Sequence, residues 1–342
     1  MVALSLNDAD LAFAHLFEGS KKAFGTENGG SVPTTPEDWP ELWLNHLYQR
    51  ATPIGVYPMV ENVTFSSPEG AEEPDQIVFD WGVRWGCIDL DIKREGKRRY
   101  DYETEEAAHV AATNLCAVLT QLDIDGWIEV TRSRGRHVWV FSKAFVRART
   151  MRRALLVACE VAGVPPTEVN PKSETLAPGQ RGNYVRLPYP AADLWSRCII
   201  DPEGKTLGRK EFVAAATDSA APSFVFHKAS LLYKAPVERH LVAELVPVDD
   251  LPDEVRQKMS GLLWTIYTDG PTEGLDLDRS GWLYRLASMC ATERLTPDEA
   301  ALVVSLSDER HTQKYSERAD GEKQIVRTVE RAYAASDYEE EE

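Results

Sequence analysis

No stretch of this chain approaches the roughly 20 uncharged apolar residues that a membrane-spanning helix needs, although 43% of its 342 residues are hydrophobic. The opening Met1-Val2-Ala3-Leu4-Ser5-Leu6-Asn7-Asp8 lacks a basic segment followed by an apolar run, so it does not read as a secretory signal. A cytoplasmic protein with no membrane partner is the expectation. Cysteine is sparse: Cys87, Cys116, Cys159, Cys198 and Cys290 are odd in number, far apart and form no C-x-x-C. That spacing argues against a cysteine zinc site and for reduced, mostly buried thiols. Positive charge is lacking too. A net charge of -17 argues against a protein that coats DNA through bulk charge. The phosphate-binding loop G-x-x-x-x-G-K-[ST] of motor ATPases is also missing.

What is present is local. Basic residues cluster at Lys93–Arg99, at Arg132, Arg134 and Arg136, and from Arg147 to Arg153. The acids gather at the end, in Asp337-Tyr338-Glu339-Glu340-Glu341-Glu342, which reads as a solvated tail over 337–342. Residues 8–23 read as an amphipathic helix carrying Leu11, Phe13, Ala14, Leu16 and Phe17, followed by a Gly/Ser/Thr/Pro loop from Gly25 to Pro36. A second helix carries Trp39, Leu42, Trp43 and Leu47; Ile54–Pro58 reads as a strand, and Ser66 to Asp75 as a polar turn. Trp85–Ile92 reads as a strand. A helix capped by Thr104 runs to about Leu122. Trp127–Thr131 and His137–Ser142 alternate like strands across a basic, glycine-containing turn. A further helix spans about Arg149 to Ala162 and stops at Val164-Pro165-Pro166; Tyr184–Leu187 is another strand candidate.

After about Ala235 strand signals become scarce, Pro247 to Pro252 reads as a linker, and helices are expected near 253–267, 279–293, 297–307 and 321–335. The expected organisation is therefore α+β with a helical end. Residues 1–75 form an N-terminal helical and loop part, 76–245 the main domain, and 246–336 a helical domain.

Three constellations carry chemistry. The first is Cys87-Ile88-Asp89-Leu90-Asp91-Ile92. On a strand, Asp89 and Asp91 point to one face. Two adjacent carboxylates repel each other unless a cation lies between them, and hard oxygen ligands suit Mg2+ or Mn2+. Two such ions about 4 Å apart would activate an attacking 3′-oxygen and stabilise a leaving pyrophosphate. The plain reading of the pair is solvated acids on an edge strand. The second constellation is Thr131-Arg132-Ser133-Arg134-Gly135-Arg136-His137, a flexible turn whose amides and arginines can cradle phosphate and which delivers His137 to an apolar strand. The third runs from Glu168-Val169-Asn170-Pro171-Lys172 to Gly182-Asn183-Tyr184-Val185-Arg186-Leu187.

In this order the three resemble the archaeo-eukaryotic primase superfamily, the primase–polymerases of phages, replicons and eukaryotes. Asp89 and Asp91 match its D-x-D motif, and Gly135-Arg136-His137 its small-x-His motif. Glu168 matches its single acid, with Thr167 where the family usually has an apolar residue and Asn170 as the alternative ligand. Asn183-Tyr184-Val185-Arg186-Leu187 looks like its N-x-x-R-L strand, and Ile54-Gly55-Val56-Tyr57-Pro58 looks like phage-type members. The resemblance covers roughly residues 40–235.

It implies an RRM-like palm, a small antiparallel sheet with flanking helices, and a C-terminal helical domain carrying Arg310, Lys314 and Arg318. It implies metals on Asp89, Asp91 and Glu168, with nucleotide bound by Ser133, Arg134, Gly135, Arg136, His137, Lys172, Asn183 and Arg186. The activity would be template-directed nucleotidyl transfer from NTPs or dNTPs on single-stranded DNA, in a bacterial or phage-infected cell. Unwinding would be left to a separate helicase. Two other readings stand beside it. A nuclease or rolling-circle initiator would need a second histidine, which His137-Val138-Trp139 lacks. An inert single-strand-binding relative would not need Asp89, Asp91 and His137.

Overall fold

The computed structural model describes residues 5–49, 53–66, 77–93, 101–177, 179–194, 196–234, 245, 250–271, 279–318 and 320–336. The chain divides into two compact units, Met1–Lys234 and Ala235–Glu342. The first is α+β with antiparallel sheets, and the described elements of the second are helical. None of the described helices is long and apolar enough to cross a membrane.

Asn7 caps α1 (Asp8–Leu16) by accepting from the Ala9 and Asp10 amides, while the Asp10 carboxylate returns to the Asn7 amide. The helix expected over 8–23 ends here, because its apolar stripe stops at Phe17 and Gly19 and Ser20 favour leaving it. Ser20–Gly25 is instead strand β1, paired with β2 (Ser31–Pro33), so the expected loop from Gly25 to Pro36 is in part a hairpin. Then follow α2 (Trp39–Tyr48), β3 (Gly55–Tyr57), β4 (Val60–Ser66) and β5 (Ile77–Leu90). The polar turn expected over 66–75 lies almost wholly outside the described residues. Next come α3 (Glu105–Gln121), β6 (Gly126–Val130), β7 (Arg136–Arg147), α4 (Ala148–Ala162), β8 (Val169–Asn170), β9 (Val185–Arg186), β10 (Ile199–Ile200), α5 (Arg209–Ser219) and α6 (Ser223–Ser230). The Thr104 hydroxyl accepts from the Ala107 amide at 3.1 Å, the cap that the sequence predicts for α3.

One sheet runs in the order β2-β1-β3-β9. The larger runs β10-β6-β7-β5-β4, with β8 paired to the other half of the β5 edge. On one face of this larger sheet, α3 and α4 pack Leu115, Leu119, Met151 and Leu155 against Ile88, Val138 and Val140. The other face begins as an aromatic core: Phe17 lies 4.9 Å from Trp139 and 5.2 Å from Phe141, and Trp85 lies 5.2 Å from Trp139. Two residues further along the central strands the same face becomes charged, because strand alternation returns Asp89 and His137 to it.

The second unit comprises α7 (Asp253–Lys258), α8 (Gly261–Asp269), α9 (Arg279–Thr292), α10 (Pro297–Ser307) and α11 (Gly321–Ala334), with its own core around Leu263, Leu283, Leu286, Val304 and Val329. The helix expected over 253–267 is two helices, because the Ser260 hydroxyl caps the Leu263 amide and starts a new one. The acidic tail lies outside the described residues.

Candidate active site

Asp89 is the penultimate residue of β5, and Asp91 follows the end of that strand. Directly opposite Asp89 in the β5/β7 register is His137, and opposite His137 in the β6/β7 register is Glu129. Three adjacent strands thus line up one charged row. His137 Nε2 lies 3.6 Å from Asp89 Oδ2, and its Nδ1 is 2.8 Å from Glu129 Oε2. Trp139 Nε1 donates to that same Glu129 oxygen at 2.7 Å. Glu129 is 1% exposed and His137 7%. Burial by itself disfavours the imidazolium, but attraction by Glu129 and Asp89 outweighs it and pushes the His137 pKa up to about 10. His137 is therefore a cation with both ring nitrogens protonated.

The edge of β5 beside this row is closed by β8, which sets Asn170 opposite Cys87. Asn170 is 4% exposed, and its Oδ1 is buried with no hydrogen-bond partner. Glu168 lies just before β8 and forms an ion pair with Lys172. Asp101 returns beside Asp91: its Oδ2 accepts from the Asp91 amide at 3.3 Å and its Oδ1 from Thr167 Oγ1 at 2.8 Å. Burial chiefly raises its carboxyl pKa, with Asp91 and Asp89 adding like-charge repulsion.

These elements enclose a cavity of about 240 Å3, lined among others by Asp89, Asp91, Glu129, Thr131, Arg132, Ser133, His137, Glu168, Asn170, Lys172, Asn183, Tyr184, Arg186 and Arg197. The residues expected from the sequence to hold metal, Asp89, Asp91 and Glu168, all border it, as do Ser133, His137, Lys172, Asn183 and Arg186. Arg134, Gly135 and Arg136 do not. Arg134 Nε donates to Glu105 at 2.6 Å at the start of α3, and Arg136 Nη1 folds back onto the carbonyls of Arg134 and Gly135. Gly135 shapes the turn instead: a Cβ there would lie 2.6 Å from the Leu90 carbonyl oxygen, so only glycine lets the turn reach the end of β5.

The basic clusters divide. Lys93 pairs with Glu103 at 3.2 Å, and residues 94–99 lie outside the described residues. Arg147 and Arg149 approach Asp80, Arg152 donates to the Val169 and Pro171 carbonyls, and Arg153 pairs with Glu174. In the helical unit Arg310 pairs with Asp250 and Arg318 with Asp320, while the Lys314 amide donates to Asp308.

Glu129 and Arg197 also line the cavity, and neither belongs to a motif that the sequence displays. Glu129 left one faint signal, a carboxylate sharing a strand face with Trp127. Arg197 left none, because it reaches the cavity only through the tertiary fold. As a cation site, Asp89 and Asp91 supply paired carboxylates, and Asn170 an unpartnered amide oxygen beside them. Mg2+ is commonly held by one or two carboxylates, with water and substrate phosphate completing its shell, so this donor set suits it. Among the described residues no group of three or more His, Cys, Asp or Glu is arranged to hold a metal ion.

No protein-family model matches the chain, and no curated protein matches it. Among solved structures, the chain is similar to the crystal structure of primase RepB', at 14% identity and a TM-score of 0.25, over 95% of this chain and 93% of that one. That score is too low for the likeness to bear on chemistry.

Proposed function

We propose that the chain is a primase–polymerase, carrying out template-directed nucleotidyl transfer from NTPs or dNTPs on single-stranded DNA. In this reading the larger sheet serves as the RRM-like palm. The observation that carries the proposal is the join of Asp89 and Asp91 to His137, Ser133, Lys172, Asn183 and Arg186 around one cavity, from segments far apart in the chain. A carboxylate pair facing several cations is what a metal–triphosphate substrate needs.

Asp89 and Asp91, with Glu168 or Asn170, would hold Mg2+ or Mn2+. The bound cation would lower the pKa of the attacking 3′-hydroxyl and neutralise charge on the leaving pyrophosphate. His137 would be oriented by Glu129, which holds its Nδ1 and leaves Nε2 on the cavity side to meet a phosphate oxygen. Arg186 and Lys172 neutralise phosphate charge, and Lys172 exchanges its Glu168 partner for phosphate as substrate binds. Ser133 and the backbone of its turn bind the triphosphate, and Asn183 the nucleotide or template. The helical unit, in this reading, contributes to template recognition, and a separate helicase supplies single-stranded DNA.

The test is synthesis on a defined single-stranded template with labelled NTPs and dNTPs in parallel, with Mg2+ or Mn2+. Wild type extends or initiates chains, and Asp89→Ala with Asp91→Ala falls to background. Unchanged activity in that variant overturns the reading. Strand cleavage in place of synthesis would point to a nuclease, although Trp139, which donates to Glu129, stands where an initiator's second histidine would be.

A further inference from the structure

Three guanidinium groups border the cavity, and one residue answers all of them. Glu27 sits in the turn between β1 and β2. Its carboxylate accepts from Arg132 Nη1 at 2.8 Å and from Arg197 Nη1 at 3.0 Å, and its carbonyl oxygen accepts from Arg186 Nη2 at 3.1 Å. Arg197 is 2% exposed. A cation so buried is costly without an anion beside it, and Glu27 is its carboxylate partner. The match is incomplete: Arg186 Nε and Arg197 Nε are buried with no hydrogen-bond partner. Two guanidinium groups therefore share the one Glu27 carboxylate, and the third, Arg186, has only the Glu27 carbonyl.

Glu27 is also held differently from the cations. Arg186 lies on β9, and Arg197 is two residues before β10. Glu27 rides on a short turn closed by Thr26 N to Gly30 O at 3.2 Å and Gly29 N to Thr26 O at 3.4 Å, with Gly29 and Gly30 at φ 90° and 92°. Arg186 and Arg197 belong to the sheets and their flanks, while Glu27 belongs to a turn that Tyr184 Oη ties to the cavity wall by donating to the Thr26 carbonyl at 3.1 Å.

We propose that Glu27 is a resident substitute for phosphate. Its carboxylate compensates Arg132 and Arg197 while the cavity is empty, its carbonyl holds Arg186, and a polyphosphate group displaces it on entry. A triphosphate carries more negative charge than one carboxylate and presents more acceptors, so it can meet all three guanidinium groups at once. The turn then opens as the substrate binds, and weakly charged anions, unable to replace Glu27, are refused. The polyphosphate being that of a nucleotide rests on the nucleotidyl-transfer reading; the displacement itself does not.

Inorganic tripolyphosphate without divalent metal is the probe, titrated calorimetrically into the full chain and into Glu27→Gln. If the turn is closed nine-tenths of the time, the apparent affinity of wild type is lowered about ten-fold, and Glu27→Gln regains that factor. Equal or weaker binding by a folded Glu27→Gln, or no binding by either protein, overturns the proposal. Should the variant fold poorly, amide hydrogen exchange in wild type decides. Tripolyphosphate is expected to raise exchange over residues 26–30 and to lower it over 131–133, whereas unchanged or slower exchange at 26–30 overturns the displacement. Template-directed synthesis by wild type with no displacement would leave the proposed function standing. Displacement without synthesis would remove the function and leave the anion site.

Discussion

Glu129 is an almost fully buried carboxylate, and it accepts from both His137 and Trp139. Removing it leaves an imidazolium and an indole N–H buried without their partner. Glu129→Ala is expected to cost about 3 kcal/mol of stability, read from the urea midpoint. His46 is the opposite case. Its Nδ1 accepts from the Ile54 amide at 3.3 Å, so the ring is neutral with the proton on Nε2, which donates to the Pro188 carbonyl at 2.9 Å. Burial chiefly lowers its pKa, from 6.5 to about 3, and Arg197 and Arg209 lower it further against that hydrogen bond. With the folded value depressed, the unfolded chain takes up a proton that the folded chain refuses once the pH falls below 6.5. Stability then declines as pH drops from 6.5 toward 3. By pH 5 the loss is about 2 kcal/mol, and a His46→Gln variant should show a shallower decline between pH 7 and pH 5.

Elements carry constraints that single residues do not. The ring of Tyr184 lies in a slot cleared by two glycines: a Cβ on Gly25 would sit 2.1 Å, and one on Gly55 2.3 Å, from its ring atoms. Gly55→Ala should therefore push Tyr184 from the cavity wall at a cost of about 2 kcal/mol, seen as a lower thermal midpoint and weaker tripolyphosphate binding. In the helical unit, the Asp308 carboxylate ends α10 by accepting from the Thr312 hydroxyl and from the amides of Lys314, Tyr315 and Ser316. Burial opposes its ionisation, but these hydrogen bonds prevail and hold its pKa below the usual 3.8. Its contribution is present above that pH and lost as the pH falls through the lowered value. Asp308→Ala is expected to cost about 2 kcal/mol at pH 7. The central elements were legible because their periodicity is local: the alternation over β6 and β7, and the Thr104 cap of α3. The first helix is shorter than its sequence suggests, because β1 becomes a strand only by pairing with β2 and β3, which its own residues do not encode.

At the scale of the molecule, the two units have separate cores, one around Trp85 and Trp139 and one around Leu283 and Leu286. Residues 1–234 and 235–342 are expected to fold as separate fragments. The first should retain tripolyphosphate binding and the second helical circular dichroism, and a first fragment without binding would show that the site needs the helices. The sequence by itself determined the elements that local patterning specifies, namely the strand that carries Asp89 and leads into Asp91, the glycine turn before His137, and the helical character of the end. Hydrophobic period and capping act within a few residues, so one chain displays them. Only the tertiary structure decided that Glu129 lies beside His137 on the neighbouring strand, that Arg197 and Glu27 meet from segments 170 residues apart, and that Arg134 and Arg136 turn away from the cavity. Those outcomes follow from strand register and from the need of buried charges for partners, and both are settled between segments rather than within them.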